Sequence, residues 1–109
     1  MDRLIEQAYQ TFVEKYPDRG LAKAATLKLG RLNFQRGRWA DAVWYFELFR
    51  QKSPDDPRLL AVLYDLGRAY EEMGQLSQAA QVYSEFIEMA DPNDARIESI
   101  ISKIESWEV

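Results

Sequence analysis

An internal repeat with an offset of 37 residues is the feature that most constrains the fold of this chain. The offset superposes the segment Leu29-Gly30-Arg31 on Leu66-Gly67-Arg68. Other residues of matching class coincide at the same offset: Gly37 with Gly74, Ala42 with Ala79, Phe46 with Tyr83, and Phe49 with Phe86. Nearer the N-terminus, three more positions coincide: Tyr9 with Phe46, Phe12 with Phe49, and Pro17 with Pro54. Self-similarity at one fixed offset of this length indicates a chain built from repeated structural units.

Each unit is predicted to contain two helices, because its apolar residues recur every three or four positions and no segment shows the alternation of a strand. Gly37 is expected to end the first helix of one unit, and Ser53-Pro54 ends the second. Asp56-Pro57 then supplies a cap and a proline at the first helical position. The predicted helices are 2–16, 21–36, 39–51, 58–73, 76–90 and 94–107. Short loops make neighbouring helices antiparallel, so we expect an all-α fold of six helices.

Two glycines lie inside predicted helices, where each costs about 1 kcal/mol relative to alanine. Gly30 and Gly67 coincide in the repeat, and the apolar residues around Gly67 keep helical spacing across it, so neither glycine is explained as a helix end.

These residues resemble the tetratricopeptide repeat family, whose signature combines a leucine-glycine pair, aromatic residues, an alanine and a closing proline. One unit supplies Leu66, Gly67, Tyr70, Gly74, Ala79 and Tyr83, with Pro92 one position late. The other supplies Leu29, Gly30, Gly37, Ala42, Phe46 and Pro54, with Asn33 where an aromatic residue is expected. The resemblance implies a right-handed superhelical stack of antiparallel helix pairs. In such a stack Gly30 and Gly67 are packing residues that let each first helix approach its partner closely, with Ala42 and Ala79 as the small facing residues. Phe46 and Tyr83 are then expected to fill the space between units, and burying each ring contributes about 1.5–3 kcal/mol. It also implies a single domain, 1–109, made of half a preceding repeat (2–18), two repeats (21–54 and 58–92) and a capping helix (94–107).

The two ends of the predicted stack differ. An offset of 34 places Ile101 on Gly67, and a branched side chain there disfavours the close approach of a further helix. The last helix is therefore interpreted as a cap. Its polar residues suit a solvated outer face: Glu98, Ser102, Lys103 and Glu105. At the other end no helix covers four apolar residues, which indicates truncation from a longer array or pairing with another chain: Leu4, Ile5, Tyr9 and Phe12.

Composition argues against several classes of function. The net charge of −4 disfavours nucleic acid or an anionic membrane as the main partner. No apolar run is long enough to cross a bilayer. The chain has no histidine and no cysteine, so it lacks the usual general base, thiol nucleophile and metal ligands, and no catalytic residue, metal site or cofactor is predicted. The segment 91–94 lacks the glycine and distal glutamate of a calcium loop and is interpreted as a helix start.

In the resembled family, the first helix of each unit lines a concave groove that binds extended peptides or partner segments. The corresponding positions here are Ala24, Leu27, Arg31 and Phe34 in one repeat, and Ala61, Tyr64, Arg68 and Glu71 in the next. Spacings of three and four residues put each set on one helical face. The repeat makes Arg31 and Arg68 equivalent, and together they are candidates for binding a carboxylate or a backbone carbonyl. The alternative is that both are solvated charges that pair with Glu71 or Glu72.

Trp44 is a second candidate surface residue, because the polar Gln81 occupies the equivalent position in the next unit. An exposed tryptophan often marks an interface, and Trp44 would then join the four apolar residues of the first helix in an oligomerisation surface. The other interpretation is that Trp44 packs over Tyr45 or a loop and covers the core.

A finer resemblance concerns the segment AYQTFVEKYPD, in which Phe12 and Tyr16-Pro17 end a unit. Units with this ending are similar to those of a bacterial cell-envelope subgroup, which includes outer-membrane assembly lipoproteins and the periplasmic partner of the Tol-Pal system. The sequence shows neither a lipobox cysteine nor a signal pattern. Both the periplasm or cell envelope and the cytoplasm therefore stay open as the compartment.

The sequence thus predicts a non-enzymatic module that binds a peptide or a partner helix in its groove and scaffolds a larger assembly. One alternative is a homo-oligomerising structural module that uses the uncapped N-terminal helix. Another is a regulatory or anchoring fragment of a larger protein. The expected partner is a protein or peptide, with a homodimer through the N-terminal helix as one form, and neither nucleic acid binding nor direct membrane insertion is expected.

Overall fold

The computed structural model describes residues 2–17 and 19–108, and these residues form six α-helices joined by short turns. The helices are α1 (Asp2–Lys15), α2 (Gly20–Gln35), α3 (Trp39–Lys52), α4 (Leu59–Glu72), α5 (Leu76–Met89) and α6 (Ala95–Trp107). No strand occurs in these two ranges. The all-α prediction is confirmed, and the bounds of the six predicted helix ranges lie within one residue of the observed ones. Asp18, at the end of the predicted segment 2–18, lies outside the described residues, as do Met1 and Val109.

Glycines with positive φ end the first helix of each repeat. Gly37 has a φ of +70° and Gly74 a φ of +73°, in the left-handed region that favours glycine. This conformation lets the N–H of Arg38 donate to the carbonyl of Asn33 at 2.9 Å, which satisfies an acceptor at the end of α2. The predicted role of Gly37 is confirmed.

Two aspartates stabilise the turns before α4 and α6. Asp94 caps α6 by accepting a hydrogen bond at 2.9 Å from the backbone N–H two residues on. Asp56 accepts a hydrogen bond from the N–H of Arg58 in the same way, at 2.8 Å. The prediction that Pro57 is the first helical residue was wrong. The N–H of Leu59 donates to the carbonyl of Asp56 at 2.9 Å, and this bond closes a tight turn before α4 begins.

Successive helices pack against one another, so α2 pairs with α3 and α4 pairs with α5. Contacts between α3 and α4 join the two pairs, and α1 packs on α2. The large side chains that these contacts bury completely include Phe46, Phe49, Leu63, Leu66, Tyr83, Phe86 and Ile100. The structure therefore has the predicted stack of helix pairs around a shared core.

The glycines inside α2 and α4 lie directly against aromatic rings of the following helix. A Cβ atom on Gly30 would lie 2.6 Å from Cδ1 of Phe46, and one on Gly67 would lie 2.6 Å from Cδ1 of Tyr83. Carbon atoms in optimal nonbonded contact are about 3.5–4.0 Å apart, so a larger residue would displace the ring. The packing role predicted for both glycines agrees with this geometry. One detail differs from the expectation, because each ring fills the space over the glycine of its own repeat.

Polar side chains join α3 to the next repeat. The hydroxyl group of Tyr70 donates to the Glu47 carboxylate at 2.7 Å, and Arg50 bridges Glu47, at 2.9 Å, to Glu85. Burial and the hydrogen bond to Glu47 raise the pKa of Tyr70 to about 12, so its hydroxyl group stays a donor at neutral pH. These contacts fix the orientation of α3 relative to α4 and α5.

Helix α6 packs at the C-terminal end of the stack through one apolar side. Its inward side chains are Ile97, Ile100, Ile104 and Trp107. Ile101 is 43% exposed, as a residue on the outer side would be. The expectation that Lys103 lies on the solvated outer face was wrong, because its Nζ donates to the Glu71 carboxylate at 3.0 Å. The interpretation of α6 as a cap stays a prediction.

Replacing Gly67 with alanine is expected to lower the free energy of unfolding by about 1–3 kcal/mol. Overpacking against the Tyr83 ring outweighs the gain in helix propensity of about 1 kcal/mol. Urea denaturation followed by circular dichroism measures the change. Gly20→Ala is the control, because a Cβ atom there would meet nothing within 4 Å, and its effect is expected to stay below about 1 kcal/mol. A Gly67→Ala variant as stable as the wild type would contradict the packing role.

Candidate functional site

Arginine side chains of α4 and α6 lie against aromatic rings of α2 and α4 and against the buried Phe86 ring of α5. The guanidinium group of Arg68 lies 5.0 Å from the centre of the Phe34 ring and 5.7 Å from that of Tyr64. The guanidinium group of Arg96 lies 5.2 Å from the Tyr64 ring and 4.8 Å from the Phe86 ring. All four distances are within the range of cation–π attraction. We call these five residues the arginine–aromatic row.

The arginine–aromatic row connects four helices, α2, α4, α5 and α6, and orders two cations. Arg68 extends from α4 to the ring of Phe34 on α2, and Arg96 extends from α6 to the ring of Tyr64 on α4. A guanidinium group that already lies against rings loses less conformational freedom when it binds a ligand. Three of the predicted groove residues, Phe34, Tyr64 and Arg68, therefore meet in one ordered surface.

A half-buried carboxyl group lies among the arginines. Nη1 of Arg68 is 3.8 Å from Oδ1 of Asp65. Burial raises the pKa of Asp65 above its ordinary value, while the positive charges of Arg68, Arg31 and Arg96 lower it by a smaller amount. The face thus carries three cations and two carboxylates, because Arg96 also pairs with Asp94 at 2.7 Å, and the charge of Asp65 is unfavourably desolvated.

The two equivalent arginines have different surroundings. Arg68 pairs with Asp65, and not with Glu71 or Glu72 as the alternative interpretation expected. Arg31 is exposed and forms no ion pair with any residue of the described ranges. Its guanidinium group therefore presents five N–H donors to the solvent side of the face.

The structure buries one of the eight predicted groove residues in the core and engages another in hydrogen bonds within the chain. Leu27 is a core residue with 3% exposure, because this side of α2 packs against the neighbouring helices. Glu71 accepts hydrogen bonds from the hydroxyl group of Tyr83 and, at 3.0 Å, from Nζ of Lys103. Burial and the bond to Glu71 raise the pKa of Tyr83. All the predicted groove residues except Leu27 are exposed or half-buried: Ala24, Arg31, Phe34, Ala61, Tyr64, Arg68 and Glu71.

Comparison with known families agrees with this architecture. A family model described as tetratricopeptide repeat matches residues 33–104, and a second model with the same description matches residues 6–57. The chain belongs to the tetratricopeptide repeat family. Tetratricopeptide repeats are generally protein-interaction modules, and the family is typically non-catalytic.

The comparisons identify the tetratricopeptide repeat family and no narrower group within it. No curated protein matches the chain closely enough to support a closer relationship. The bacterial cell-envelope subgroup stays a prediction. In residues 2–17 and 19–108, no helix combines the length and the apolar character that crossing a membrane requires. The same residues bring together no acidic cluster that could hold a metal ion.

The N-terminal end of this tetratricopeptide repeat stack exposes apolar side chains of α1. All the predicted oligomerisation residues of α1 reach the surface at least in part: Leu4, Ile5, Tyr9 and Phe12. Leu4 has the largest exposure, 66%. The helix itself is held to the stack by Glu6, which pairs with Arg36 and, at 3.2 Å, with Arg38.

Trp44 lies on the surface of α3. Its side chain is 62% exposed, and its ring contacts the ring of Tyr45 edge-on, with 5.1 Å between the two centres. Trp44 therefore packs against Tyr45, as the interpretation of a core-covering residue expected. It also stays exposed, as the interpretation of an interface residue expected. No contact described for Trp44 joins it to the exposed residues of α1.

The sequence analysis missed some residues of the arginine–aromatic face and of the exposed N-terminal end. Asp65 precedes Arg68 by three residues, a spacing that places the two side chains on one helical face and could have indicated their ion pair. Arg96 gave no such signal, because its ring contacts depend on how α6 meets α4 and α5. Tyr16 and Leu21 at the N-terminal end are exposed although both are large and apolar.

The pKa of Asp65 is expected to lie above the ordinary value of 3.8, and Arg68→Gln is expected to raise it further by removing a compensating charge. Titration of the carboxyl ¹³C NMR signal measures both values. Asp56 is an internal reference, because hydrogen bonds from Arg58 hold its pKa at about 2.

The raised pKa of Asp65 also sets the sign of its effect on stability. Because folding favours the protonated form, its contribution to the free energy of unfolding is fully present below pH 3.8 and is lost as the pH rises through the folded-state pKa. A measured pKa at or below 3.8 for Asp65 would contradict the desolvation that the structure indicates.

Proposed function

We propose that this chain is a non-catalytic protein-interaction module that binds an acidic, partly apolar peptide or partner segment on the face of α2 and α4. The observation that carries the proposal is the arginine–aromatic row, in which two ordered guanidinium groups lie on the same face as the exposed Arg31. Membership of the tetratricopeptide repeat family supports a protein as the partner. A module of this kind acts as a scaffold by holding its partner within a larger assembly.

The chemistry of the face suits a ligand that combines carboxylate groups with an apolar side chain. Guanidinium groups bind carboxylates through strong, paired hydrogen bonds. The 3.8 Å separation between Arg68 and Asp65 is longer than a direct hydrogen bond, so donors of Arg68 stay open to a ligand. The half-buried ring of Tyr64 and the exposed methyl group of Ala61 supply apolar surface one helical turn apart.

Peptides selected from a random displayed library on the wild-type chain are expected to be rich in Asp or Glu and to carry an apolar residue. The double variant Arg31→Ala with Arg68→Ala is expected to bind the selected peptides at least about tenfold more weakly. The reason is that each hydrogen bond to a charged group contributes about 1.5–3 kcal/mol. Fluorescence anisotropy of labelled peptides measures the two affinities.

The matched control is Lys23→Ala with Lys52→Ala, which removes two positive charges from a separate cleft between α1, α2 and α3. This variant is expected to keep the wild-type affinity. Selected peptides that bind the arginine variant as tightly as the wild type would contradict the proposal. An equal loss in both variants would also contradict it, because net charge rather than the geometry of the face would then explain binding.

Self-association through the N-terminal end is a second candidate function, favoured by the exposed apolar side chains of α1. The double variant Tyr9→Asp with Phe12→Asp places two charges among those side chains. In light scattering, the solution mass of the wild type is expected to rise with concentration. The mass of the double variant is expected to stay that of the monomer. A wild-type chain that keeps the monomer mass at every concentration would exclude this candidate.

A further inference from the structure

Charge is distributed unequally between the two halves of the chain. Residues 1–54 contain ten Lys or Arg and six Asp or Glu, a net charge of +4, whereas residues 55–109 contain four and twelve, a net charge of −8. The helices pack in chain order, so the basic half and the acidic half lie toward opposite ends of the stack, although the outermost helices carry little net charge, −1 on α1 and 0 on α6. Opposite ends of two copies therefore attract each other, whereas two N-terminal ends repel.

The N-terminal end combines apolar side chains with cations. We define the N-terminal face by Ile5, Tyr9, Phe12, Tyr16 and Leu21. The first three are spaced by four and three residues on one side of α1, and Leu21 is 62% exposed at the start of α2. Nζ of Lys15 and the guanidinium group of Arg19 lie 5.5 and 6.0 Å from the centre of the Tyr16 ring, so positive charge borders this apolar surface.

The opposite end combines an apolar side chain with anions. We define the C-terminal face by Glu98, Ile101, Ser102 and Glu105, which line one shallow groove on the outer side of α6. All four are exposed. Neither glutamate forms an ion pair with a residue of the described ranges. In charge and in apolar character, the C-terminal face therefore complements the N-terminal face.

Two contacts between first helices use the same position of the repeat. The ring of Phe34 on α2 is contacted by Arg68 of α4. Glu71 on α4, which corresponds to Phe34, is contacted by Lys103 of α6. Each first helix thus offers the same position to the helix that follows it in the stack. The incoming residues differ by one position, because Lys103 corresponds to Ala69 at the offset of 34, and we take the register of Arg68 on Phe34.

The same register identifies the contact that a second copy would make. On α6, the position that corresponds to Glu71 at an offset of 34 is Glu105, and on α2 the residue that corresponds to Arg68 is Arg31. We propose that copies of the chain associate head to tail, with the C-terminal face of one copy on the N-terminal face of the next and Glu105 paired with Arg31. This inference rests on self-association, the second candidate function, and names the two surfaces that meet.

Ile101 makes this contact weaker than the contacts inside the chain. In the following copy, Tyr9 occupies the repeat position that Phe46 and Tyr83 occupy inside the chain. Inside the chain such a ring lies directly against a glycine, with no room for a Cβ atom. The branched side chain of Ile101 keeps the incoming ring farther from the backbone, so association is reversible and depends on concentration and salt.

Charge reversal tests the inference, with sedimentation velocity as the measurement. The wild type is expected to associate with rising concentration and to dissociate with added salt. Arg31→Glu alone and Glu105→Arg alone are each expected to associate at least about tenfold more weakly, because each places like charges opposite each other. An equimolar mixture of the two variants is expected to regain association, since every joint then pairs opposite charges. Asp55→Arg, in the exposed turn between α3 and α4, is the control and is expected to behave as the wild type.

The outcomes separate the inference from the candidate function on which it rests. A wild type that stays monomeric at every concentration overturns both. If the wild type associates and Tyr9→Asp with Phe12→Asp dissociates it, but neither charge reversal weakens it, self-association stands and the head-to-tail arrangement fails. A mixture of the two charge variants that stays dissociated also overturns the head-to-tail arrangement. Far-UV circular dichroism confirms that each variant keeps its helical content.

Discussion

The contact between an aromatic ring and a helix backbone without a Cβ atom is the interaction on which this structure depends. Tyr83 lies against Gly67, and Phe46 lies against Gly30. Each contact brings the two helices of a repeat closer than an alanine would permit. Tyr83 extends this role, because its ring stacks on Trp107 of α6, with centres 6.4 Å apart, while its hydroxyl group donates to Glu71 of α4. One side chain of α5 therefore fixes both neighbouring helices.

The candidate binding face follows from that packing. Tyr64 lies between the two ordered arginines, and its ring is 6.2 Å from that of Tyr83 and 5.6 Å from that of Phe86. The position of Tyr64 thus depends on how closely α4 and α5 approach. Since Arg68 and Arg96 both lie against Tyr64, the spacing of the two cations depends on the same approach. The spacing of the charges that a ligand would meet is consequently set by contacts within the core.

Local signals predicted the helices, whereas the site depends on contacts between helices that sequence spacing does not specify. The ends of α2 and α6 were predictable because Gly37 and the aspartate before α6 act through their own backbone neighbours, whereas Pro57 was wrongly expected to be the first residue of α4. Leu27 was misplaced because a spacing of three or four residues identifies a helical face but not whether another helix covers its edge. Arg96 was missed because its ring partners lie on other helices.

The most direct test of this account is a double-mutant cycle on the free energy of unfolding that combines Gly67→Ala with Tyr83→Val. Valine lacks the ring atoms that lie closest to residue 67. The account predicts that the alanine destabilises the chain when Tyr83 is present. In the Tyr83→Val background the alanine is neutral or stabilises the chain by up to about 1 kcal/mol through its helix propensity. An equal effect of the alanine in both backgrounds would contradict the claim that the ring requires the glycine.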